Sequence, residues 1–329
     1  MSQQATKGSR IFAAPSPWKA PKTKKPQGEK VNGVRSLNGR WAYLFTAPFF
    51  LMFIIFGLLP VIYSVYIAFY SWDPLDPTYQ VFVGTDNFIR LWHDENFWLS
   101  VRNTFAIWAF STFPQMAMAI GLASILRNPT LRAKTLWRTI LLVPNITSVL
   151  AVAIIFQQLF GRDYGLINWV IGLFGFDNID FQEQAIPGQI AIATMITWRW
   201  VGYNALIFLA AMLAIPNELY ESASIDGAGR WQTFRYVTLP QLKNTITFVL
   251  IVGTIGGLQV FAEPLVFGSA TGGSDRQFST LTLYLFEQAF TNINWGYGAA
   301  IGIAITVIVL IISLLNFAIT RRLASEDSR

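Results

Sequence analysis

The sequence predicts an all-α membrane protein with six transmembrane helices and a helix-turn-helix in one connecting loop. Hydrophobic residues make up 53% of the 329-residue chain and only 13% are charged, about half the share in soluble domains. Six apolar segments each hold the roughly 20 residues with which a helix crosses a hydrocarbon layer. They cover residues 41–71, 104–126, 139–160, 189–215, 245–267 and 297–319.

The residues ahead of the first apolar segment have a different composition. Residues 1–41 carry nine Lys and Arg against one acid, Glu29, and are rich in Pro, Gly, Ser and Gln. Such a stretch cannot bury a core, so residues 1–40 are predicted to be a disordered, basic cytoplasmic tail near anionic lipid. The transmembrane domain is then residues 41–320, and residues 321–329 form a short cytoplasmic C-terminal tail.

The distribution of charge among the connections predicts the orientation. Nineteen of the 24 Lys and Arg fall in the two tails and in the loops 127–138 and 216–243. Basic residues concentrate on the cytoplasmic loops of membrane proteins, and eleven of the 18 acids of this chain fall in the other connections. Both termini are therefore predicted to be cytoplasmic. The positive net charge is assigned to the membrane and not to a nucleic-acid partner.

The residue inventory excludes several kinds of chemistry. The chain has no cysteine and a single histidine, His93, which excludes disulfides, Cys-type metal sites and a multi-His site. It has no G-x-x-x-x-G-K-[ST] phosphate loop, so it has no ATP site of that kind. No catalytic constellation is visible, and the chain is interpreted as a non-enzyme without a metal or cofactor.

The loop 216–243 is the most informative connection, because its pattern is typical of two short amphipathic helices. Asn217 is expected to cap the first helix, and Gly227 and Gly229 allow a sharp turn after it. The second helix is expected to stop before Pro240. The apolar face of the first helix would hold Leu219, Tyr220, Ala223 and Ile225. Apolar side chains on an aqueous loop favour a docking element; the alternative is an interfacial helix lying on lipid.

The spacing within this loop resembles the EAA loop of ABC importer permeases. That loop is written E-A-A, three residues, G, nine residues, I-x-L-P. This chain has Glu221-Ser222-Ala223, then Gly227, then Val237-Thr238-Leu239-Pro240, with Ser222 and Val237 as the two departures. The residues Gly272-Gly273, Thr280-Leu281, Tyr284 and Ala289-Phe290 further resemble carbohydrate-uptake permeases of the maltose type. The resemblance covers about residues 40–320, and the large periplasmic insertion of the maltose subunit is absent.

The resemblance implies partners and a mechanism. Two cytoplasmic ATPase subunits would drive transport, with the EAA-type loop received in a groove of one of them. A second, different permease subunit and an extracytoplasmic sugar-binding protein would complete the importer in a bacterial cytoplasmic membrane. The cargo would be an oligosaccharide or a related polyol-type solute. The implied coupling residues are Glu221, Ala223, Asp226, Gly227, Ala228, Leu239 and Pro240.

Polar and aromatic residues inside the spans are the candidate translocation path. A charge in a span is costly and usually faces a cavity or a partner, which singles out Arg199 and Glu263 as a predicted pair. Positions 200, 203 and 204 share one helical face, and aromatic rings and amides suit the binding of sugars. Together with the resemblance to the maltose-type permease, this gives the candidate substrate-binding residues Asn145, Trp198, Trp200, Gly202, Tyr203, Asn204, Gly257, Gln259 and Glu263.

Alternative interpretations stay open at the level of sequence. The charged pair would equally serve packing, the aromatic residues would equally form a lipid-facing belt, and the doublets Gly256-Gly257 and Gly272-Gly273 would serve helix packing. A secondary transporter also uses charges within its spans, although it does not need an EAA-like loop. An ABC importer for a non-sugar solute would share that loop.

Overall fold

A computed structural model describes residues 39–72 and 80–326, which are mostly helical. They divide into a first unit that ends at Leu58 and a second unit that begins at Leu59. The predicted N-terminal tail lies outside the described residues except for its last two positions, which begin the first helix. The last three residues of the predicted C-terminal tail also lie outside them.

The first unit contains helix α1 (Gly39–Phe53) and a π-helical turn (Ile54–Leu58). The second unit opens with α2 (Leu59–Ile67). By length and composition, the run Tyr43–Ile67 qualifies as one membrane span. Large apolar side chains are exposed along nearly all of this run, and a helix that is apolar all round is typical of a membrane span.

A short antiparallel pair of strands follows α2 and corrects the prediction of a purely helical chain. Strand β1 (Tyr70–Trp72) pairs with β2 (Gln80–Phe82), with Tyr70 opposite Phe82. Aromatic residues favour the pleated backbone, and the two opposed rings lie with centroids 5.3 Å apart. Helix α3 (Asp86–His93) then leads to the next span.

Two long helices form the centre of the second unit, α4 (Glu95–Arg127) and α8 (Ala185–Leu213). They run side by side in the same direction, because successive hydrogen bonds between them advance along both helices. These bonds join Gln189 to Asn103 (3.1 Å), Thr197 to the carbonyl of Ser111 (3.3 Å) and Ser124 to the sulfur of Met212 (3.9 Å). The chain between α4 and α8 must therefore return from one end of this pair to the other.

The third and fifth predicted spans are bent helix pairs. Helices α5 (Lys134–Ile146) and α6 (Val149–Leu159) meet at 92°, and α12 (Lys243–Gly257) and α13 (Ala262–Gly268) meet at 43°. In the first pair, Pro144 weakens the last turn of α5 and Thr147 is extended. Among the described residues, four helices could cross a membrane, or six if each bent pair counts as one span.

Shorter helices occupy the connections. They are α7 (Leu166–Leu173), α9 (Asn217–Ile225), α10 (Arg230–Thr233), α11 (Leu239–Gln241) and α14 (Leu281–Phe286). A π-helical turn (Phe234–Thr238) joins α10 to α11, and another (Glu287–Thr291) follows α14. The last helix, α15 (Trp295–Glu326), continues six residues into the predicted C-terminal tail.

The start of α4 is tied to α14 and α15 through the carboxylate of Asp94. This side chain caps α4 by accepting from the N–H groups of Asn96 and Phe97, and it also accepts from the hydroxyls of Tyr284 and Tyr297. Burial alone would raise the pKa of Asp94, but these donors outweigh it and hold the pKa below its ordinary value. Helix α15 therefore begins at the same end of the unit as α4.

Three buried apolar clusters hold the second unit together. One lies mainly between α6, α8 and α13, the second between α4, α8 and α12, and the third between α4, α14 and α15. Helix α8 contributes to the first two, for example through the fully buried Ile192 and Phe208. These clusters fix α4, α8, α12 and α13 around a cavity.

Candidate functional site

A cavity of about 570 Å³ lies between α4, α8, α12 and α13. Most of its wall is apolar, with polar groups at a few positions, which is the usual composition of a small-molecule site. The polar and aromatic residues of the wall are Ser111, Thr112, Gln115, Arg199, Trp200, Tyr203, Asn204, Phe248, Gln259, Phe261 and Glu263.

One face of α8 supplies four of these residues. Positions 199 and 203, and positions 200 and 204, are each four apart and therefore neighbours on the helix surface. The rings of Trp200 and Tyr203 meet edge to face, with centroids 5.9 Å apart and an angle of 81°. Both residues are about two-fifths exposed, whereas Asn204 is buried. Helix α8 thus presents an aromatic pair and an amide to the cavity.

Arg199 and Glu263 form the predicted ion pair in the cavity wall. Nη1 of Arg199 lies 3.0 Å from Oε1 of Glu263, and the side chains are 16% and 7% exposed. Pairing offsets part of the cost of removing both charges from water. Nε of Arg199 is buried without a hydrogen-bond partner, so the wall retains a spare donor. Within the described ranges no group of three or more His, Cys, Asp or Glu residues could hold a metal ion.

Six of the nine predicted substrate-binding residues line this cavity: Trp200, Tyr203, Asn204, Gly257, Gln259 and Glu263. The other three, Asn145, Trp198 and Gly202, lie outside the lining. Trp198 packs against Phe156 of α6, with ring centroids 5.7 Å apart. Asn145 is in the last turn of α5, just before the 92° bend between α5 and α6.

Gly202 lies where the backbones of α8 and α5 approach each other closely. A Cβ at this position would overlap the carbonyl oxygen of Leu141. Small residues allow membrane helices to pack backbone against backbone, so Gly202 serves packing at a point outside the cavity. Gly257 differs, because it lines the cavity and also makes room for Trp108, whose Cδ1 would be 2.6 Å from a Cβ there.

We expect Gly202→Ala to lower the free energy of unfolding by about 1–3 kcal/mol, because the backbone of Leu141 must move to admit the methyl group. The measurement is the thermal unfolding of the purified permease. Gly121→Ala is the matched control, since a Cβ at that position of α4 meets nothing within 4 Å. A Gly202→Ala protein of normal stability but weakened substrate affinity would contradict the packing role.

Three residues of α4 in the wall are not singled out by the sequence. Ser111, Thr112 and Gln115 are buried polar residues on the stretch of α4 that faces the cavity. The one sequence feature that could have indicated them is that these polar residues cluster around Pro114 inside an otherwise apolar span. Nothing in the sequence shows that this turn of α4 faces α8, which only the packing of the two helices establishes.

The loop 216–243 forms two short helical pieces joined by a tight turn. After α9, Gly227 has a left-handed backbone with φ +77°. Its N–H donates to the carbonyl of Ser224 (3.1 Å), and the N–H of Ala228 donates to the carbonyl of Ala223 (2.9 Å). This is the Schellman arrangement, which favours glycine at the left-handed position. The predicted role of Gly227 in the turn is confirmed.

Two details of this loop differ from the prediction. Pro216 occupies the position before α9, and Asn217 is the first helical residue with no capping hydrogen bond from its side chain. The second helical piece does not stop before Pro240 but continues through the π-helical turn to Gln241. Pro240 is the second residue of α11, directly after the π-helical turn.

The surface of this loop carries exposed apolar side chains. Ile225, Trp231 and Tyr236 are each more than 70% exposed, and Trp231 stacks on Phe234 with ring centroids 5.6 Å apart. The predicted apolar face of α9 is split, because Leu219 and Ile225 are exposed whereas Tyr220 and Ala223 are half-buried. Exposed apolar clusters of this kind mark interaction sites.

Tyr220 attaches α9 to the cavity-lining helix α4. The guanidinium of Arg127, the last residue of α4, lies 3.7 Å from the centre of the Tyr220 ring, a cation–π contact. The Tyr220 hydroxyl lies 3.1 Å from Oγ1 of Thr238, at the end of the π-helical turn. The loop 216–243 is therefore joined to α4 by this contact and to α8 by the chain itself.

A set of apolar helices, a polar-lined cavity among them and an exposed apolar helical loop together define a membrane transport subunit. The chain belongs to the family of binding-protein-dependent transport system inner membrane components, whose model matches residues 115–325. Membership in this family removes the secondary transporter as an alternative.

Curated relatives and solved structures match most of the chain. It is 35% identical over 283 residues to the lactose transport system permease protein LacF of Rhizobium radiobacter, covering 85% of this chain and 93% of that protein. It is 32% identical over 305 residues to the arabinooligosaccharides transport system permease protein AraP of Bacillus subtilis, covering 92% and 96%.

The fold is similar to that of a chain in the crystal structure of a bacterial ABC transporter involved in the import of the acidic polysaccharide alginate. The TM-score is 0.73 and the identity 26%, with 86% of this chain and 96% of that chain covered. A second crystal structure contains the alginate transporter in complex with an alginate pentasaccharide-bound periplasmic protein. It matches with a TM-score of 0.73 and 25% identity, covering 86% and 95%.

Proposed function

We propose that this chain is a permease subunit of an ABC importer that carries a sugar, of oligosaccharide size, inward across a bacterial cytoplasmic membrane. The observation that carries the proposal is the aromatic and amide-lined cavity between α4, α8, α12 and α13. The relatives named for lactose and arabinooligosaccharides and the structure from alginate import support a carbohydrate cargo.

The cavity suits an uncharged, hydroxyl-rich solute. The rings of Trp200 and Tyr203 offer apolar surface to the C–H faces of a sugar. The amides of Asn204, Gln259 and Gln115 each offer both donors and acceptors, which matches hydroxyl groups that also do both. Because Arg199 is paired with Glu263, the wall adds hydrogen-bonding capacity without adding net charge.

The loop 216–243 couples this cavity to ATP hydrolysis on a separate subunit. Its coupling residues are Glu221, Ala223, Asp226, Gly227, Ala228, Leu239 and Pro240. The exposed apolar side chains of the loop would enter a groove on a cytoplasmic ATPase, and closure of two such ATPases would move α9. The motion would reach the cavity through α8, which precedes α9 in the chain, and through the contact of Tyr220 with Arg127 at the end of α4.

The complete importer would contain further chains. The family is binding-protein-dependent, so an extracytoplasmic protein would deliver the sugar. A second, different permease subunit would form the other half of the pathway, and each permease would receive one of the two ATPases. Membrane lipid would surround both permeases.

Six spans are proposed, with each bent pair crossing once. The parallel packing of α4 and α8 supports this, because the chain leaves at the end of α4 and re-enters at the start of α8, so that α5 and α6 together must cross back. The same argument applies to α12 and α13, since α15 begins beside the start of α4 through Asp94 and Tyr297. The basic loops 127–138 and 216–243 then share the cytoplasmic side.

A cysteine at Asp275 should react with a membrane-impermeant maleimide in spheroplasts, whereas a cysteine at Arg132 should not. Both positions are exposed, and the chain has no native cysteine to remove. Lysed membranes are the control in which both variants should react. Equal labelling of both positions in intact spheroplasts would contradict the six-span orientation.

Trp200→Ala and Asn204→Ala should each raise the KM for sugar uptake about tenfold, the equivalent of about 1.4 kcal/mol of lost contact. Uptake of labelled neutral di- and oligosaccharides into proteoliposomes holding the complete importer is the measurement. Trp198→Ala is the matched control, because this neighbour has the same exposure as Trp200 but packs on Phe156 outside the cavity. Equal increases in KM for Trp198→Ala and Trp200→Ala would contradict the assignment of the cavity as the sugar site. Failure of the unmodified importer to take up any of these sugars would contradict the proposed function.

A further inference from the structure

Helix α7 carries an exposed apolar stripe to which the proposed transport mechanism assigns no role. Leu166, Trp169, Val170 and Leu173 are spaced three and four residues apart, so they share one face of the helix. They are between 38% and 65% exposed, and the helix contains no charged residue. The stripe continues into Phe174 and Phe176 after the helix, which are still more exposed.

The opposite face of α7 is fixed to the rest of the second unit. Ile167 and Ile171 pack against the cluster that contains Phe160 and Phe181. Asn168 is buried, and its amide donates to the carbonyls of residues 161, 162 and 179 and accepts the N–H of residue 179 at 2.9 Å. The exposed stripe therefore belongs to a firmly held helix.

The end of α7 is equally well defined. Gly175 is left-handed with φ +77°, its N–H donates to Gly172 (3.0 Å), and the N–H of Phe176 donates to Ile171 (3.4 Å). This turn keeps Phe174 and Phe176 close to the end of the helix. A helix that is apolar on two faces is expected to have both faces covered, and none of the described residues covers the second face.

The surroundings of α7 indicate lipid as that cover. The helix begins seven residues after the end of α6, and both α6 and α8 carry exposed apolar residues: Ile154 and Ile155 near the middle of α6, and Ile186 and Ile190 in the first two turns of α8. Exposed apolar surface is thus present on both helices that this connection joins, as well as on the stripe. With eight residues, α7 is about 12 Å long and too short to span a bilayer.

Charge and aromatic content fit the headgroup level of the bilayer. Charged residues flank the helix on both sides, namely Arg162, Asp163, Asp177 and Asp180, with Arg162 paired to Asp180 at 3.1 Å. Between these charged flanks the exposed residues are aliphatic or aromatic, and Trp is enriched where membrane meets water.

We propose that α7 and the residues up to Phe176 lie in the membrane interface, with the stripe covered by lipid, and anchor the connection between α6 and α8 at a fixed depth. The helix lies parallel to the membrane surface, as interfacial helices do. The inference depends on the membrane location of the chain and is independent of the sugar cargo.

Single-cysteine variants of the full chain, in the assembled importer in nanodiscs of phosphatidylethanolamine and phosphatidylglycerol, test this proposal. Leu173→Cys places a bimane fluorophore on the stripe, and Asp163→Cys places one on the charged flank. A lipid with a nitroxide near its headgroup should quench the label at 173 several-fold more strongly than the label at 163. Aqueous iodide should show the reverse order.

Two results would overturn the proposal. Equal iodide quenching at both positions would mean that the stripe faces water. Shielding of position 173 that lacks nitroxide quenching, or that arises only when the sugar-binding protein is added, would mean that a protein covers it. Val170→Cys, on the same stripe, repeats the measurement if the variant at 173 does not assemble.

Discussion

Glu263→Gln is expected to lower the free energy of unfolding of the permease by about 3–5 kcal/mol. The change leaves the Arg199 guanidinium charged and unpaired in a wall where its side chain is only 16% exposed, and breaking a buried pair from one side carries a cost of this size. The expected result is a marked fall in the yield and melting temperature of the purified permease. Sugar uptake per cell should fall with it.

The double variant Arg199→Gln with Glu263→Gln should recover part of the lost stability, since two neutral amides can bond without a stranded charge. Arg162→Gln is the control. Arg162 forms a partly exposed ion pair with Asp180, and such pairs contribute about 0–1 kcal/mol to the free energy of unfolding. A Glu263→Gln protein as stable as the parent would show that the pair contributes nothing to the fold.

The α8 side of this site could be predicted because it depends on helical periodicity. Residues 199, 200, 203 and 204 are neighbours in any α-helix, so one sequence segment defines the face. The pairing of Arg199 with Glu263 was also predictable, because two opposite charges in two apolar spans have few other partners. Both predictions rest on local geometry and on the cost of burying charge.

The parts of the site that sequence reasoning missed depend on how the helices meet. Gly202 lies between the cavity residues Trp200 and Tyr203 in the sequence, yet it faces α5. Only its close approach to Leu141 in the structure reveals this. Ser111 and Gln115 face the cavity because this part of α4 packs beside the cavity-lining part of α8. The 92° bend between α5 and α6, just after Asn145, leaves little trace in hydropathy.

In the loop 216–243, the tight turn at Gly227 could be predicted from the sequence. The ends of the two helical pieces were harder to predict. A left-handed residue after a helix favours glycine, and Gly227 provides it. Gly229 has the ordinary φ of −68° and does not need to be glycine for its backbone. The continuation of the helix through Pro240 depends on a preceding π-helical turn, which no spacing rule predicts.

Gly227→Pro should abolish coupled sugar uptake while the permease still inserts in the membrane. Proline fixes φ near −65° and cannot adopt the +77° of this turn, and it also lacks the N–H that donates to Ser224. The helical pieces on either side of the turn would then be misdirected, and with them the exposed Ile225 and Trp231 that are proposed to enter the ATPase. Uptake should fall to background in proteoliposomes.

A graded series separates backbone strain from side-chain bulk. At position 227 a Cβ meets nothing within 4 Å, so Gly227→Ala carries only the strain of a left-handed residue, about 1–3 kcal/mol, and should retain part of the uptake. Gly229→Ala is the matched control, because its φ is ordinary and the nearest contact of its Cβ is 3.6 Å away. Co-purification of the ATPase subunits and their hydrolysis rate are measured beside uptake. Normal co-purification and normal uptake in Gly227→Pro would mean that the loop does not couple ATP hydrolysis to transport, whereas loss of both with normal insertion is the result expected of a docking element.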